Sequence, residues 1–242
     1  MPELDALPGF RRRVRIEPAP AQVSAALEDD YHRMAVTLHH DGSVVTGVDA
    51  AMPRAPWTTC PGAMDQLRQT FTGVKLRDVA ARGDKARNCT HLHDLAILAA
   101  AHAHESRPLT YDILVSDPVD GLRRAEIRRD GRRLLGWTDE PRPFPEYNRL
   151  VEPRELAGQQ LHRLRPWIET LDAERQEAAR LLQWSAIVAN GRSLPLEKHA
   201  DASLMGTGRC YSFQEERAAQ ARRILDIRDF SDKSSQLLGS DT

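Results

Sequence analysis

The chain has 242 residues, 40% of them hydrophobic and 29% charged, a composition that fits a folded globular protein and excludes a fibrous or wholly disordered one. Its 34 basic and 35 acidic residues leave a net charge of −1, which removes the electrostatic basis for binding nucleic acid or an anionic membrane. No apolar run reaches the roughly 18 residues that span a bilayer, Met1–Arg13 lacks the apolar stretch of a signal peptide, and three cysteines do not make a disulfide framework, so a reducing, cytoplasmic setting is expected.

Arg13–Glu17 is a short candidate strand, broken by Pro18-Ala19-Pro20. Over His32–His40, Met34, Val36 and Leu38 alternate with Arg33, Ala35, Thr37 and His39, the period of a strand with one buried face. Asp41-Gly42 predicts a hairpin turn, and Val44–Asp49 the returning strand, ended by Pro53–Pro56. Cys60-Pro61-Gly62-Ala63 opens a helix to about Thr72, with Pro61 at the first helical position and Gly73 closing it. After the polar stretch Arg77–Asn88, a second helix runs from near Cys89 to about His104; it is apolar on nearly every face and therefore expected to be buried.

Thr110–Val115, Leu122–Arg129 and Arg132–Trp137 read as an antiparallel meander punctuated by Asp120-Gly121 and Asp130-Gly131. Pro141, Pro143 and Pro145 form a stiff connector. Arg154–Thr170 and Asp172–Asn190 read as two helices, the second C-capped by Gly191, and Glu215–Leu225 as a shorter one. Ser231–Thr242 is polar and expected to fray. The whole is expected to be one α+β domain over 1–242, with a core at about 26–104, a β-meander over 108–148 and a helical part over 152–230.

Four of the 34 basic residues are lysines, so 30 are arginines, the residue that tolerates burial in planar ion pairs. Cys60 and Cys89 each stand at a helix start, where the N–H groups and the helix dipole favour thiolate; a free cysteine is as readily a small buried hydrophobe. The 28 residues between them match no standard zinc spacing. In Glu28-Asp29-Asp30-Tyr31-His32, Asp30 and His32 share the parity of Met34, Val36 and Leu38 and so lie at the rim of the buried face, where they could share one ion or one proton; the other reading is a capped, exposed strand end. His91 and His93 point to different faces of their helix, so one can line a site while the other is exposed. His102 and His104 suit the helix C-terminus, and His39-His40 a surface turn. Tyr31, Trp57, Trp137 and Tyr147 can wall a pocket or fill a core. Arg54 can hold a substrate carboxylate or be one more surface arginine. No dinucleotide, P-loop, elbow-serine or zincin pattern is present, so no nucleotide cofactor is expected.

The runs from Leu27 to Met34, His40 to Gly42, Pro56 to Ala63 and Cys89 to Leu92, with Leu171-Asp172, Glu177 to Ala179, Asn190 to Arg192 and Cys210 to Phe213, resemble an uncharacterised bacterial domain-of-unknown-function family, number 2889 in that series. The order strand, Asp-Gly turn, strand, cysteine, Gly-closed helix and Cys-x-x-Leu helix also resembles iron–sulfur scaffold proteins of the NifU/IscU type. That second resemblance implies an antiparallel sheet with helices, extended here by the meander and the C-terminal helices. It also implies that Asp30, His32, Cys60 and Cys89 occupy its ligand positions, with Asp29 in place of Asp30 as an open variant. Thr59-Cys60-Pro61 stands where the scaffolds have Gly-Cys-Gly. Such a set suits zinc or another borderline divalent ion better than a cluster. A metal-free site would instead use Cys60 or Cys89 as acid/base or nucleophile, and His32 as a base oriented by Asp30. The leading expectation is a small-molecule lyase, with hydrolase as second choice, acting on an aromatic catabolic intermediate, with Tyr31, Arg54, Trp57 and His91 on the substrate. The alternatives are a metal or iron–sulfur carrier and an interaction module. A homo-oligomer fits either enzyme or carrier.

Overall fold

The structure is a computed structural model, and it describes residues 3–142, 146–206 and 208–239. It is an α+β fold. Eight strands, β1 (Gly9–Ala19), β2 (Gln22–Asp29), β3 (Arg33–His40), β4 (Val45–Arg54), β5 (Leu109–Ser116), β6 (Arg123–Arg129), β7 (Arg132–Glu140) and β8 (Arg149–Glu152), form an antiparallel sheet in the order β4-β3-β2-β1-β5-β6-β7-β8. Its helices are α1 (Ala63–Phe71), α2 (Thr90–Ala101), α3 (Arg165–Ile168), α4 (Ala173–Val188) and α5 (Glu215–Ala218), supplemented by short 3-10 turns. The chain divides into two compact units: Val14–Thr110 with Pro195–Arg228, and Tyr111–Leu194 with the chain up to Arg13 and from Asp229 onward. The expected core at 26–104 falls within the first.

In the first unit β2 and β3 pair from Gln22↔His39 to Glu28↔Arg33. Val23, Ala25 and Leu27 face inward beside Met34, Val36 and Leu38, as the alternation in β3 requires. Strand β2 was not anticipated, because its alanines and acids are weak strand formers; pairing with β3 and burial of one face override propensity. The β3–β4 hairpin is closed by Asp41, whose carboxylate accepts from the Ser43 and Val44 N–H groups at 2.9 and 2.8 Å. Helix α1 packs on β4, and α2 packs on β2 and β3. Leu92, Leu95, Ala96 and Ala99 of α2 are fully buried, which its unbroken apolar sequence demands. His40, expected at the surface, is buried, because it shares the inward parity of β3.

In the second unit the meander follows its turn signals. Asp120 and Gly121 sit at φ 51° and 79°, Asp130 and Gly131 at 50° and 79°, the paired left-handed residues of tight two-residue turns. Strand β8, unanticipated, joins β7 beyond the proline connector; Pro143 and Pro145 lie outside the described residues. Helix α4 packs on β6 and β7, and Asp172 caps it by accepting from the Arg175 N–H at 2.9 Å. The long helix expected over Arg154–Thr170 does not form. Gly158 at φ 81° and Pro166 interrupt it, leaving two 3-10 turns and the four-residue α3. Gly191 is not a C-cap, since a 3-10 turn over Ala189–Ser193 follows α4. The expected Glu215–Leu225 helix stops at Ala218. The C-terminal run is tied rather than frayed where it is described: the Ser231 hydroxyl bonds the Gly9 N–H at 3.0 Å and its carbonyl at 3.1 Å. Among the described residues no helix is long and apolar enough to cross a membrane.

Candidate functional site

The polar cluster of the first unit grows from the turn that joins β2 to β3. Asp29 continues the inward parity of Val23, Ala25 and Leu27 and is fully buried. Its Oδ1 accepts from the backbone N–H of Tyr31 at 2.7 Å and of His32 at 2.9 Å, and the His32 carbonyl accepts from the Asp29 N–H at 2.9 Å. The same carboxylate lies 3.0 Å from His32 Nδ1. A carboxylate can only accept, so Nδ1 carries the proton and Nε2 is left as the basic nitrogen. Asp29, not Asp30, is therefore the partner of His32; the turn at Asp30 and Tyr31 breaks the period-2 count that placed Asp30 beside it.

Arg54 holds this turn from within. Its Nη1 donates to the carbonyls of Asp29 and Asp30 at 2.8 and 2.7 Å, and its Nη2 to Glu28 Oε1 at 2.9 Å. All of these groups are buried. Arg54 was expected to grip a substrate carboxylate; its partner is instead the protein's own Glu28.

The start of α2 meets the turn. The His91 ring stacks on His32 with centroids 3.9 Å apart and a 30° interplanar angle. Neither histidine of the pair is exposed: His91 is half-buried, and His93 is buried against Phe71, centroids 5.1 Å apart. Cys60 and Cys89 are both buried and free, and the Cys60 charge bears on the Cys89 thiol. Burial pushes Cys60 up to about 11, against the lowering effect of its hydrogen bond with Ser212 at 3.4 Å. Burial likewise pushes Cys89 upward, with Cys60 adding to it. The helix starts thus do not make thiolates here: desolvation wins over the helix dipole. Cys210, for which the sequence offered no role, bears electrostatically on both other thiols. The Cys210–Phe213 segment is pinned against the two helix starts. The Tyr211 N–H donates to Asn88 O at 2.9 Å, and a Cβ at Gly62 would stand 2.6 Å from the Tyr211 hydroxyl.

The segment from Arg222 to Arg228 lies along the same turn. The Thr58 N–H donates to Arg222 O, the Ile224 N–H to Pro56 O and the Arg228 N–H to Asp30 O, at 2.9, 2.8 and 2.9 Å. The Arg223 guanidinium lies over Trp57, 4.3 Å from the ring centroid, and Phe213 meets the Trp57 edge at 5.4 Å. Tyr31 stands edge-on to His32 at 6.2 Å.

Among the described residues no three His, Cys, Asp or Glu side chains form a group that could hold a metal ion, and the Asp29 carboxylate already accepts from His32 and two backbone N–H groups. Elsewhere, in the second unit, a groove of about 970 Å³ is lined by Leu7, Val119, Leu122, Trp137 and Val151 among others, none of them a histidine or cysteine.

The model of a family described as a protein of unknown function (DUF2889) matches residues 8–104, the stretch that holds Asp29, His32, Cys60, Cys89 and His91. No curated protein and no solved structure matches the chain, so the likeness to iron–sulfur scaffolds rests on the order of residues alone.

Proposed function

We propose that this chain is a small-molecule enzyme, a lyase in which His32 is the general base, acting on an aromatic catabolic intermediate. The observation that carries the reading is the buried Asp29 carboxylate at 3.0 Å from His32 Nδ1. It orients the ring, fixes the tautomer and steadies the imidazolium that forms when Nε2 takes a proton. The His91 ring stacked at 3.9 Å holds the plane of the base. His32 takes a hydroxyl proton from the substrate, the oxygen becomes a carbonyl as the carbon–carbon bond breaks, and the departing carbon takes the proton back from His32. The hydrolase reading is the second one: the same base would activate a water, since the buried thiols, pushed away from thiolate, offer no nucleophile of their own. The rings of Tyr31, Trp57 and Phe213 beside the turn support an aromatic substrate.

The test is turnover of a panel of aromatic acids that carry a primary-alcohol side chain, with the one-carbon aldehyde released read by mass spectrometry. His32→Ala should lower the rate by about 10²–10⁴-fold, the usual contribution of a positioned base, and Asp29→Asn should lower it too. An His32→Ala protein as active as the parent, or a parent inactive on the whole panel, overturns the reading. Stoichiometric zinc or an iron–sulfur chromophore in the purified protein would favour the carrier instead.

A further inference from the structure

Arg223 is half-buried beside the candidate site and has no acidic partner among the described residues. Its Nε donates to the His199 carbonyl at 2.9 Å and its guanidinium stacks over Trp57 at 4.3 Å. The position is fixed by the backbone: the Arg223 N–H donates to Ala200 O at 2.9 Å, and Arg223 and Trp57 form an antiparallel bridge. The ionisable neighbour that acts on it is the Tyr31 phenol, a group neutral at pH 7, and Tyr31 is in turn the ring beside His32. Two buried arginines show the usual arrangement: Arg54 has Glu28, and Arg123 of the second unit has Asp139 on two bonds of 3.0 and 3.2 Å. Arg222, next in the chain, has Asp201 at 3.6 Å. A guanidinium keeps its charge in a protein, and holding one partly desolvated without a counter-charge is unfavourable unless an anion arrives. Burial alone already pulls Arg223 below the usual arginine range. The stacked, backbone-held fork leaves its two terminal nitrogens to present parallel N–H donors, the geometry that matches a carboxylate.

We propose that Arg223 is the anchor of a carboxylate-binding site, so that the site beside Tyr31 and His32 takes a small organic acid. That the bound acid is the substrate rests on the acid–base reading above; that an acid binds here does not. The rings next to the anchor, Trp57 under the guanidinium and Tyr31 beside His32, are themselves packed at 4% and 9% exposure, so a planar acid is the probe that disturbs them least.

The experiment is titration of the full chain with benzoate, and with benzyl alcohol as its uncharged counterpart, at fixed ionic strength. It follows heat and the Arg223 Nε–H resonance. Benzoate should bind the parent and shift that resonance, a readout that needs no variant, while benzyl alcohol should not bind. Arg223→Gln should weaken benzoate about 10–100-fold, the worth of hydrogen bonds to a charged group, and Arg223→Lys should fall between the two. A parent that ignores benzoate, an Arg223→Gln protein with unchanged affinity, or benzyl alcohol binding as tightly as benzoate overturns the anchor. Unchanged binding in Arg223→Gln with turnover lost in His32→Ala would sink the anchor and leave the base standing. Arg223-dependent binding with turnover intact in His32→Ala would do the reverse.

Discussion

Arg54 shows what a single side chain can impose on a turn. Three bonds of 2.7–2.9 Å from one planar fork hold two consecutive carbonyls and the Glu28 carboxylate, all buried. A lysine ammonium offers a point charge and cannot span that set. Without Arg54, Glu28 at 1% exposure would lose its 2.9 Å charged partner, with Arg33 at 3.8 Å and Arg228 at 3.9 Å both beyond hydrogen-bond reach. Arg54→Met should therefore cost about 3–5 kcal/mol, the penalty for stranding a buried charge, and Arg54→Lys should recover less than half of it. Urea unfolding measures both, and a Met variant with the parent's midpoint would refute the account. The excess of arginine over lysine was readable in the composition, and it does mark buried ion pairs. Which arginine takes which partner was not readable, because Glu28 and Arg54 are 26 residues apart and meet only through the β2–β3–β4 pairing. The same limit displaced the carboxylate of the candidate site by one residue. Parity counted back from β3 chose Asp30, whereas parity counted along the unseen β2 chooses Asp29.

At the scale of elements, segments with strong local signals came out as read. The β3–β4 hairpin, the meander with its Asp-Gly turns, and helices α1, α2 and α4 needed only period, turn residue and cap. Those that depend on neighbours did not. Strands β2 and β8 acquire their pattern from the strand they join, and the run after Pro153 has helical apolar spacing that Gly158 and Pro166 defeat. Gly9, at the head of β1, is the sharpest case of an element shaped by a distant one. It sits at φ 156°, and a Cβ there would lie 2.3 Å from the Val115 carbonyl of β5. Gly9→Ala must push two backbones apart, which should cost about 1–3 kcal/mol, or about 2–4 °C in Tm for each of those in a chain of this size. Gly83 has nothing within 4 Å of its missing Cβ, so Gly83→Ala is the matched control and should leave Tm unchanged. Equal melting of the two variants would show that β1 and β5 do not approach as described.

Over the whole molecule, the buried titratable groups predict a stability plateau with two flanks. His40 is held below its ordinary 6.5 by burial first and by His104 next, with Asp41 pulling the other way and His39 adding a little. His162 is lowered as well, by burial and Arg163. A lowered histidine favours the fold in its neutral form. The contribution is therefore complete above 6.5 and is lost as pH falls through that value toward the folded one, because the unfolded chain binds the proton first. On the other side, burial raises Cys60 to about 11 and also raises Cys89 and Cys210, all from 9.0. That contribution is complete below 9.0 and is lost as pH rises past it, because the unfolded thiols ionise first. Tm should be flat between those limits and fall on either side. The acid flank has a local cause that can be removed. His40 Nδ1 accepts the Gly42 N–H at 3.1 Å, so a proton on Nδ1 would set donor against donor in the β3–β4 turn. The amide oxygen of an asparagine side chain can accept the same N–H and does not titrate. In His40→Asn the plateau will sit lower, from lost packing, but the slope of Tm between pH 6.5 and about 5 should shrink toward what His162 alone leaves. A slope equal to the parent's would mean that His40 is already protonated in the fold, which its hydrogen bond with Gly42 does not allow.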